Sequence, residues 1–166
     1  MSKSFRKYWK ARPSGDELAK VFAEMRGESS RAAVLVGTAM LEDVLRGVIA
    51  FWCAHLAETE KSDLLDGMEP LSTFSAKIKA NYVFGMIGAK TRDDLEVVRE
   101  IRNAFAHGIR PLDFENPSTV RLVAGMNAMR DVGSLAVTKD EFVEVIHLLI
   151  TFLTSRMQNP RFTSTV

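Results

Sequence analysis

The spacing of apolar residues constrains the fold of this chain more than any other feature. In the segment 29–56, apolar side chains recur about every 3.5 positions, while Arg31, Glu42 and Arg46 lie on another side. This is the period of an α-helix, and most of the remaining chain repeats it. No alternation of apolar and polar residues extends beyond one short stretch. We therefore predict an all-α, compact single-domain bundle of about five to seven helices, with one long helix at about 29–56.

Residues that favour helix starts and stops give the approximate helix boundaries. Ser14-Gly-Asp-Glu17 and Thr138-Lys-Asp-Glu141 have the form of a capping box, and glycine at 108 is well placed to end a helix. Within the long helix, Gly37 and Gly47 would allow another helix to approach closely. The predicted segments are helices at 14–27, 29–56, 72 to about 85–88, 91–108, 118–129 and 138–157, with a loop at 62–70.

Length and composition indicate one globular domain. The chain has 166 residues, of which 46% are hydrophobic and 26% charged, which is ordinary for a folded protein with a full core. We divide it into a basic arm at 1–13, a domain at 14–158 and a tail at 159–166. Its single cysteine excludes an internal disulfide and fits a reducing compartment. Charges interrupt the most apolar segment, so we expect no membrane span and a cytoplasmic protein.

The basic residues are unevenly distributed. The chain has 22 basic and 21 acidic residues, and five basic residues but no acidic ones lie in the first twelve positions, so 17 basic and 21 acidic residues follow. A body with that excess of acids does not attract duplex DNA through its overall field. We also find no helix that is basic on one face and preceded by a short glycine-containing turn. We therefore expect no direct sequence-specific DNA binding.

The segment Arg102-Asn103-Ala104-Phe105-Ala106-His107 carries the main candidate site. At 100° per residue, Asn103 and His107 share the solvent side of a helix, whereas Arg102 lies at the edge of the apolar side, within reach of an acid such as Glu42. An arginine that holds a phosphate, an amide that fixes an oxygen and a histidine that moves a proton suit phosphodiester chemistry without a metal. The same groups would also suit a purely structural role at a helix end.

This segment resembles the R-x4–6-H motif of HEPN domains in its R-N-x-x-x-H form. HEPN domains are small, all-α and often dimeric, and many are metal-independent ribonucleases whose motif lines a cleft at the dimer interface. The resemblance implies an HEPN-like fold, and it assigns the catalytic roles of such a nuclease to Arg102, Asn103 and His107.

A longer resemblance covers roughly residues 28–122 and points to the mannitol operon repressor (MltR) family. The family pattern runs through an opening segment, a segment of the form gpLgsFsaKIklAyalGLI, the string dL..irkIRN.FAH and a later sF. In this chain Asn81 replaces the usual alanine, and Glu69 stands where a small residue is commoner. The matching segments are Ser30–Val36, Ala39–Leu45, Leu71–Ile87, Asp94-Leu95, Val98–His107 and Asp113-Phe114.

The MltR resemblance implies a regulatory protein, which without a helix-turn-helix would act indirectly through a protein partner or RNA. The alternatives are the HEPN-type ribonuclease and a purely structural subunit, so whether the chain is an enzyme stays open. The resemblances imply a homodimer, and we expect no cofactor. We also expect no metal, since the three histidines are scattered and metal sites need converging ligands. Besides the motif, the residues expected to bind a partner or line the cleft are Arg31, Glu42, Lys77 and Arg99.

Overall fold

Eight helices form the part of the chain that the computed structural model describes, which is residues 14–109, 111–133 and 136–157. Most of them begin with a serine, threonine or asparagine that accepts a hydrogen bond from the first turn, as expected for N-caps. The helices are α1 Gly15–Gly27, α2 Ser30–Trp52, α3 Glu58–Leu65, α4 Phe74–Val83, α5 Ala89–His107, α6 Pro117–Ala124, α7 Ala128–Val132 and α8 Lys139–Arg156.

Helix α2 lies at the centre of the bundle, where it packs against α8, α5, α4 and α1. It runs parallel to α8, because Gly37 adjoins Ile146 at one end and Gly47 adjoins Met157 at the other. Helix α1 runs antiparallel to α8. Arg26, near the end of α1, pairs with Glu144, whereas Phe22, one turn earlier in α1, packs against His147, which comes later in α8. Leu41, Leu45 and Val48 of α2 are completely buried between these neighbours.

The all-α fold class predicted from periodicity is confirmed, although the described residues contain more helices than predicted. The long helix spans 30–52 instead of 29–56, and α5 begins at Ala89, two residues before the predicted start. The predicted loop at 62–70 is wrong in its first part, because α3 continues to Leu65. Acidic residues in the first turn of α3 suit its N-terminus, and Leu65 anchors it in the core.

The helix predicted at 118–129 is two helices. Gly125 ends α6, and α7 starts at Ala128. The physical reason is Asp94 of α5, whose carboxylate accepts the backbone N–H groups of Asn127 and Ala128 at 2.7 and 2.9 Å. A buried acid that takes the first N–H groups of α7 fixes a second helix start at this point.

The described residues between α5 and α6 form no helix, and the sequence has prolines at 111 and 117 there. Phe114 holds this segment to the bundle, because its ring lies between Phe105 of α5 and Phe142 of α8 with centroid distances of 5.8 and 5.2 Å. The predicted arm at 1–13 and tail at 159–166 lie outside the described residues, as does position 158 of the predicted domain. Among the helices described, none is long and apolar enough to cross a membrane.

Candidate functional site

The C-terminal end of α5, which carries the R-N-x-x-x-H string, is held in place from two sides. Phe105 is buried in the core, and Arg31 of α2 donates from Nη2 to the carbonyl oxygen of Gly108 at 2.9 Å. Gly108 ends the helix as predicted, but with a φ of −64° it is not in the left-handed conformation that favours glycine. A cation at this carbonyl also complements the negative end of the α5 dipole.

The three motif side chains differ in exposure. His107 is exposed, whereas Arg102 and Asn103 are half-buried. Arg102 Nη1 donates to Asn103 Oδ1 at 3.1 Å, so the guanidinium and the amide form one unit although their positions on the helix differ by 100°. The imidazole of His107 forms no hydrogen bond with the described residues. The suggested pairing of Arg102 with Glu42 is wrong, because Glu42 pairs with Lys77 instead.

This arrangement favours an anionic ligand. Asn103 Oδ1 already accepts a hydrogen bond from Arg102. The groups of this pair that remain available to a ligand are therefore the N–H groups of the guanidinium and of the amide, which are donors. No acid of the described segments forms an ion pair with Arg102 or Arg31. A phosphate or a carboxylate would find a guanidinium and an amide NH₂ side by side, with an exposed imidazole one turn further along the helix.

A second candidate site is an open cleft of about 300 Å³ between α2, α4 and the end of α3. At its wall the Lys77 ammonium, with 5% of its side chain exposed, donates to Glu42 Oε1 at 2.9 Å and to the Ser72 carbonyl oxygen. Arg46 binds Asp66 through two bonds of 2.6 and 2.8 Å. These bonds raise the pKa of the Arg46 guanidinium above its ordinary value, so the cleft wall consists of paired charges.

The structure brings together only two of the four residues expected to bind a partner or line the cleft. Glu42 and Lys77 line the same cleft and pair with each other. Arg31 instead binds the end of α5, and Arg99 pairs within its own helix with Glu96 at 2.6 Å. Neither belongs to this cleft, because each guanidinium finds its partner elsewhere. Any role of the four in binding a partner stays a prediction.

Sequence reasoning missed the polar residues that organise the surroundings of the two sites. Asp94 has 3% exposure and accepts three hydrogen bonds from Asn127 and Ala128. In the sequence it stood out only in the Asp94-Leu95 pair of the MltR pattern and in the first turn of the helix predicted at 91–108, where acids are common. Asp66 is the partner of Arg46, and its only signal was the Asp-Gly dipeptide of a turn. Within the described ranges, no three His, Cys, Asp or Glu side chains converge as metal ligands would.

Comparison with known proteins finds a solved structure with a similar fold. The whole chain matches no family model and no curated protein sequence. A chain in the X-ray structure of the MtlR–HPr complex from Escherichia coli superposes with a TM-score of 0.69 at 14% sequence identity. The superposition covers 82% of this chain and 97% of that chain. At this identity the likeness shows that the two chains share a fold.

Proposed function

We propose that this chain is a cytoplasmic MltR-like regulatory protein that acts by binding a protein partner. One observation carries the proposal: the chain shares nearly the whole fold of a chain from a complex named for MtlR and HPr, with 97% of that chain covered. The resemblance of residues 28–122 to the MltR pattern is independent support, because it rests on sequence order and spacing alone. Regulation of transcription would follow indirectly, through the state of the partner.

The charge distribution supports a protein partner over DNA. Six cations of the described segments, on α1, α2, α3, α4 and α5, are already paired with acids. Neutralised cations contribute little to phosphate binding, which depends on releasing counterions from the nucleic acid. A protein surface, by contrast, is recognised through apolar anchors and a polar rim. We therefore expect no salt-dependent binding to duplex DNA by the folded body.

Calorimetry with purified HPr tests the proposal. We expect saturable binding of HPr from Escherichia coli, or of HPr from the organism that encodes this chain, with a Kd between about 0.1 and 100 μM, the range of transient regulatory complexes. A heat-unfolded sample of this chain is the control. Failure of both HPr proteins to bind at 200 μM, by calorimetry and by NMR, would count against an HPr-type partner.

The homodimer expected from the resemblances also belongs to this proposal. In such a dimer the exposed His107 edge of α5 would lie at the shared cleft, with Arg102 and Asn103 beside it. Light scattering coupled to size-exclusion chromatography measures the mass directly. A mass near 37 kDa, twice that of the 18.5 kDa chain, is the expected result, and a monomer at 100 μM would contradict it.

The second candidate function is a metal-independent ribonuclease that uses Arg102, Asn103 and His107. The observation that favours it is the exposed imidazole of His107 near a guanidinium–amide pair. In this mechanism Arg102 holds the phosphate and Asn103 binds a neighbouring oxygen. His107 either accepts the proton of the attacking 2′-hydroxyl or donates a proton to the leaving oxygen. The product would carry a 2′,3′-cyclic phosphate.

Incubation of mixed RNA with the purified chain in EDTA separates the two functions. The regulatory proposal expects intact RNA at high protein concentration, with identical results for the chain and for His107→Ala. If the chain is a nuclease, we expect it to cleave RNA in the presence of EDTA. The cleavage rate should then fall by at least a hundredfold in His107→Ala, as is usual for loss of acid–base catalysis. His147→Ala, on α8, is a matched control for the removal of a histidine.

A further inference from the structure

The segment between α2 and α4 is attached to the bundle at few points. Helix α2 packs closely against α8, α5 and α4, whereas none of the helices described packs closely against α3. Helix α3 has eight residues, which are too few for a stable isolated helix, and it buries the side chain of Leu65. We call residues 57–72, which comprise α3 and the turn before α4, the α3 strap. Its position depends on anchors that α2 and α4 provide.

The middle of the α3 strap is latched to α2 by an ion pair. Arg46 of α2 binds both carboxylate oxygens of Asp66, and Asp66 also accepts from the Ser62 hydroxyl at 3.1 Å. The side chains of Arg46 and Asp66 keep 24% and 34% of their surface exposed. A two-point contact of this kind has a fixed geometry. Since both groups remain in contact with water, breaking the pair leaves neither charge buried, and salt weakens it.

The two ends of the α3 strap are fixed by the backbone around them. Before the strap, the N–H of Leu56 donates to the Cys53 carbonyl at 3.0 Å in the turn that follows α2. After the strap, Thr73 caps α4 by accepting an N–H of its first turn at 3.1 Å. The buried Lys77 ammonium also holds the Ser72 carbonyl. A movement of the strap therefore pivots at these ends and displaces its middle, where the ion pair lies.

The ion pair spans the open cleft of about 300 Å³. Arg46 belongs to the wall formed by α2, and Asp66 belongs to the wall formed by the strap, with Leu65 beside it. The pair therefore joins the two walls. As long as it is formed, the cleft keeps its present width and Leu65 stays in the core.

We propose that the α3 strap is a lid that opens as a unit when the Arg46–Asp66 pair breaks, while the bundle stays folded. Opening withdraws Leu65 from the core and widens the cleft towards Glu42 and Lys77. The strap belongs to the less stable part of the fold, because α3 buries one residue whereas α2 buries eight and α8 buries seven. Raising the ionic strength shifts the strap towards the open form.

Hydrogen exchange of the ¹⁵N-labelled full chain tests this proposal. Three hydrogen-bonded amides report on the strap, those of Lys61, Asp66 and Leu71. We expect the three amides to exchange through one common opening, faster than the amides of α2 and α8. The free energy of that opening should depend less on urea than that of global unfolding does, because the opening exposes less surface.

Variants of the ion pair test whether it is the latch. Arg46→Met should lower the protection of the three amides at least tenfold, while the amides of α2 and α8 keep theirs. Asp66→Asn should act in the same direction. The double variant should lose no more than the more affected single variant, because both changes remove the same pair. Raising the NaCl concentration from about 50 to about 500 mM should lower the protection in the parent chain but not in Arg46→Met.

Arg26→Met is the matched control, because it makes the same substitution at another partly exposed ion pair. Arg26 pairs with Glu144 and holds α1 to α8, so its removal should leave the three amides of the strap unchanged. The lid is wrong if the three amides exchange only together with those of α2 and α8. It is also wrong if Arg46→Met leaves their protection unchanged, or if Arg26→Met lowers it as much.

Discussion

Lys77 shows what a single residue contributes to this fold. Its ammonium is almost completely buried and relies on the Glu42 carboxylate and the Ser72 carbonyl for its hydrogen bonds. Glu42, in contrast, keeps 32% of its side chain exposed. The two partners therefore differ in what each loses when the other is removed, since a buried unpaired charge is costly and a solvated one is not.

Removal of Glu42 should destabilise the protein more than removal of Lys77. In Glu42→Ala the buried ammonium loses its counter-charge, and we expect the free energy of unfolding to fall by about 2–3 kcal/mol. In Lys77→Met the apolar stem is kept and Glu42 turns to water, so the loss should be about 1 kcal/mol or less. Urea denaturation measures both, and Glu100→Ala on an exposed part of α5 is the control. Equal losses for the two variants would contradict this asymmetry.

Glu17 makes one contribution to stability depend on pH. Its carboxylate accepts hydrogen bonds from the backbone N–H and the side chain of Ser14 in the α1 capping box, and these bonds hold the pKa of Glu17 below its ordinary value. A lowered pKa in the folded state means that the cap is fully formed above the unfolded-state pKa. Its contribution is lost as the pH falls through the folded-state pKa.

We expect an NMR titration to place the pKa of Glu17 below 4.5, the ordinary value for a glutamate. Ser14→Ala removes the side-chain bond and should move the pKa back towards that value, with increased fraying of α1 as a consequence. A Glu17 pKa that does not respond to Ser14→Ala would exclude the side-chain bond as a cause.

At the scale of whole elements, one buried carboxylate determines how α7 is attached. Asp94 of α5 accepts the first N–H groups of α7 and the side-chain amide of Asn127. A helix of five residues cannot persist by itself, because its nucleation is not offset by propagation. The position of α7, and its packing on α8, therefore depend on Asp94.

Asp94→Ala should lower the free energy of unfolding by about 2–4 kcal/mol, because it removes charge-assisted bonds and leaves buried N–H groups unpaired. Hydrogen exchange should show loss of protection in 128–132 before the rest of the bundle opens. Asp93→Ala is the adjacent control, since the Asp93 side chain is 57% exposed and surface ion pairs contribute about 0–1 kcal/mol. If α7 stays as protected as before in Asp94→Ala, the anchoring role is wrong.

At the scale of the whole molecule, two glycines of α2 determine how closely the helices pack. A Cβ at Gly37 would lie 2.9 Å from Met25 Cε and 3.3 Å from Ile146 Cγ2, so α1, α2 and α8 meet at this point. A Cβ at Gly47 would lie 3.5 Å from Met157 Sδ, which is ordinary contact. The predicted close approach of another helix therefore leaves no room for a side chain at Gly37 without a shift of its neighbours, whereas a methyl group fits at Gly47.

Alanine at the two positions should have opposite effects. Gly47→Ala should raise the free energy of unfolding by about 0.5–1 kcal/mol, because it removes backbone entropy from the unfolded chain without a clash. In Gly37→Ala the same gain is offset by crowding against Ile146 and Met25, and overpacking costs about 1–3 kcal/mol. Thermal denaturation compares the two variants. An equal rise in Tm would mean that the three-helix contact relaxes without cost.

Local features made much of the fold predictable. The capping boxes at Ser14 and Thr138 located the starts of α1 and α8, and the stop at Gly108 was placed correctly. The errors came from long-range contacts. The predicted helix at 118–129 is interrupted because the carboxylate of Asp94, 33 positions before Asn127, accepts the N–H groups at the start of α7.

For the candidate site, the sequence alone located the R-N-x-x-x-H string and predicted that His107 would face away from the core. The tertiary structure decided which charges meet: Arg31 with the end of α5, Lys77 with Glu42, and Arg92 with the Tyr82 ring. The physical reason is range. Helical periodicity and caps depend on neighbours within four residues, so the sequence by itself determined the all-α class and the solvent side of each long helix. Ion pairs and exposed apolar groups depend on how separate helices are placed in space, and only the folded bundle determines that.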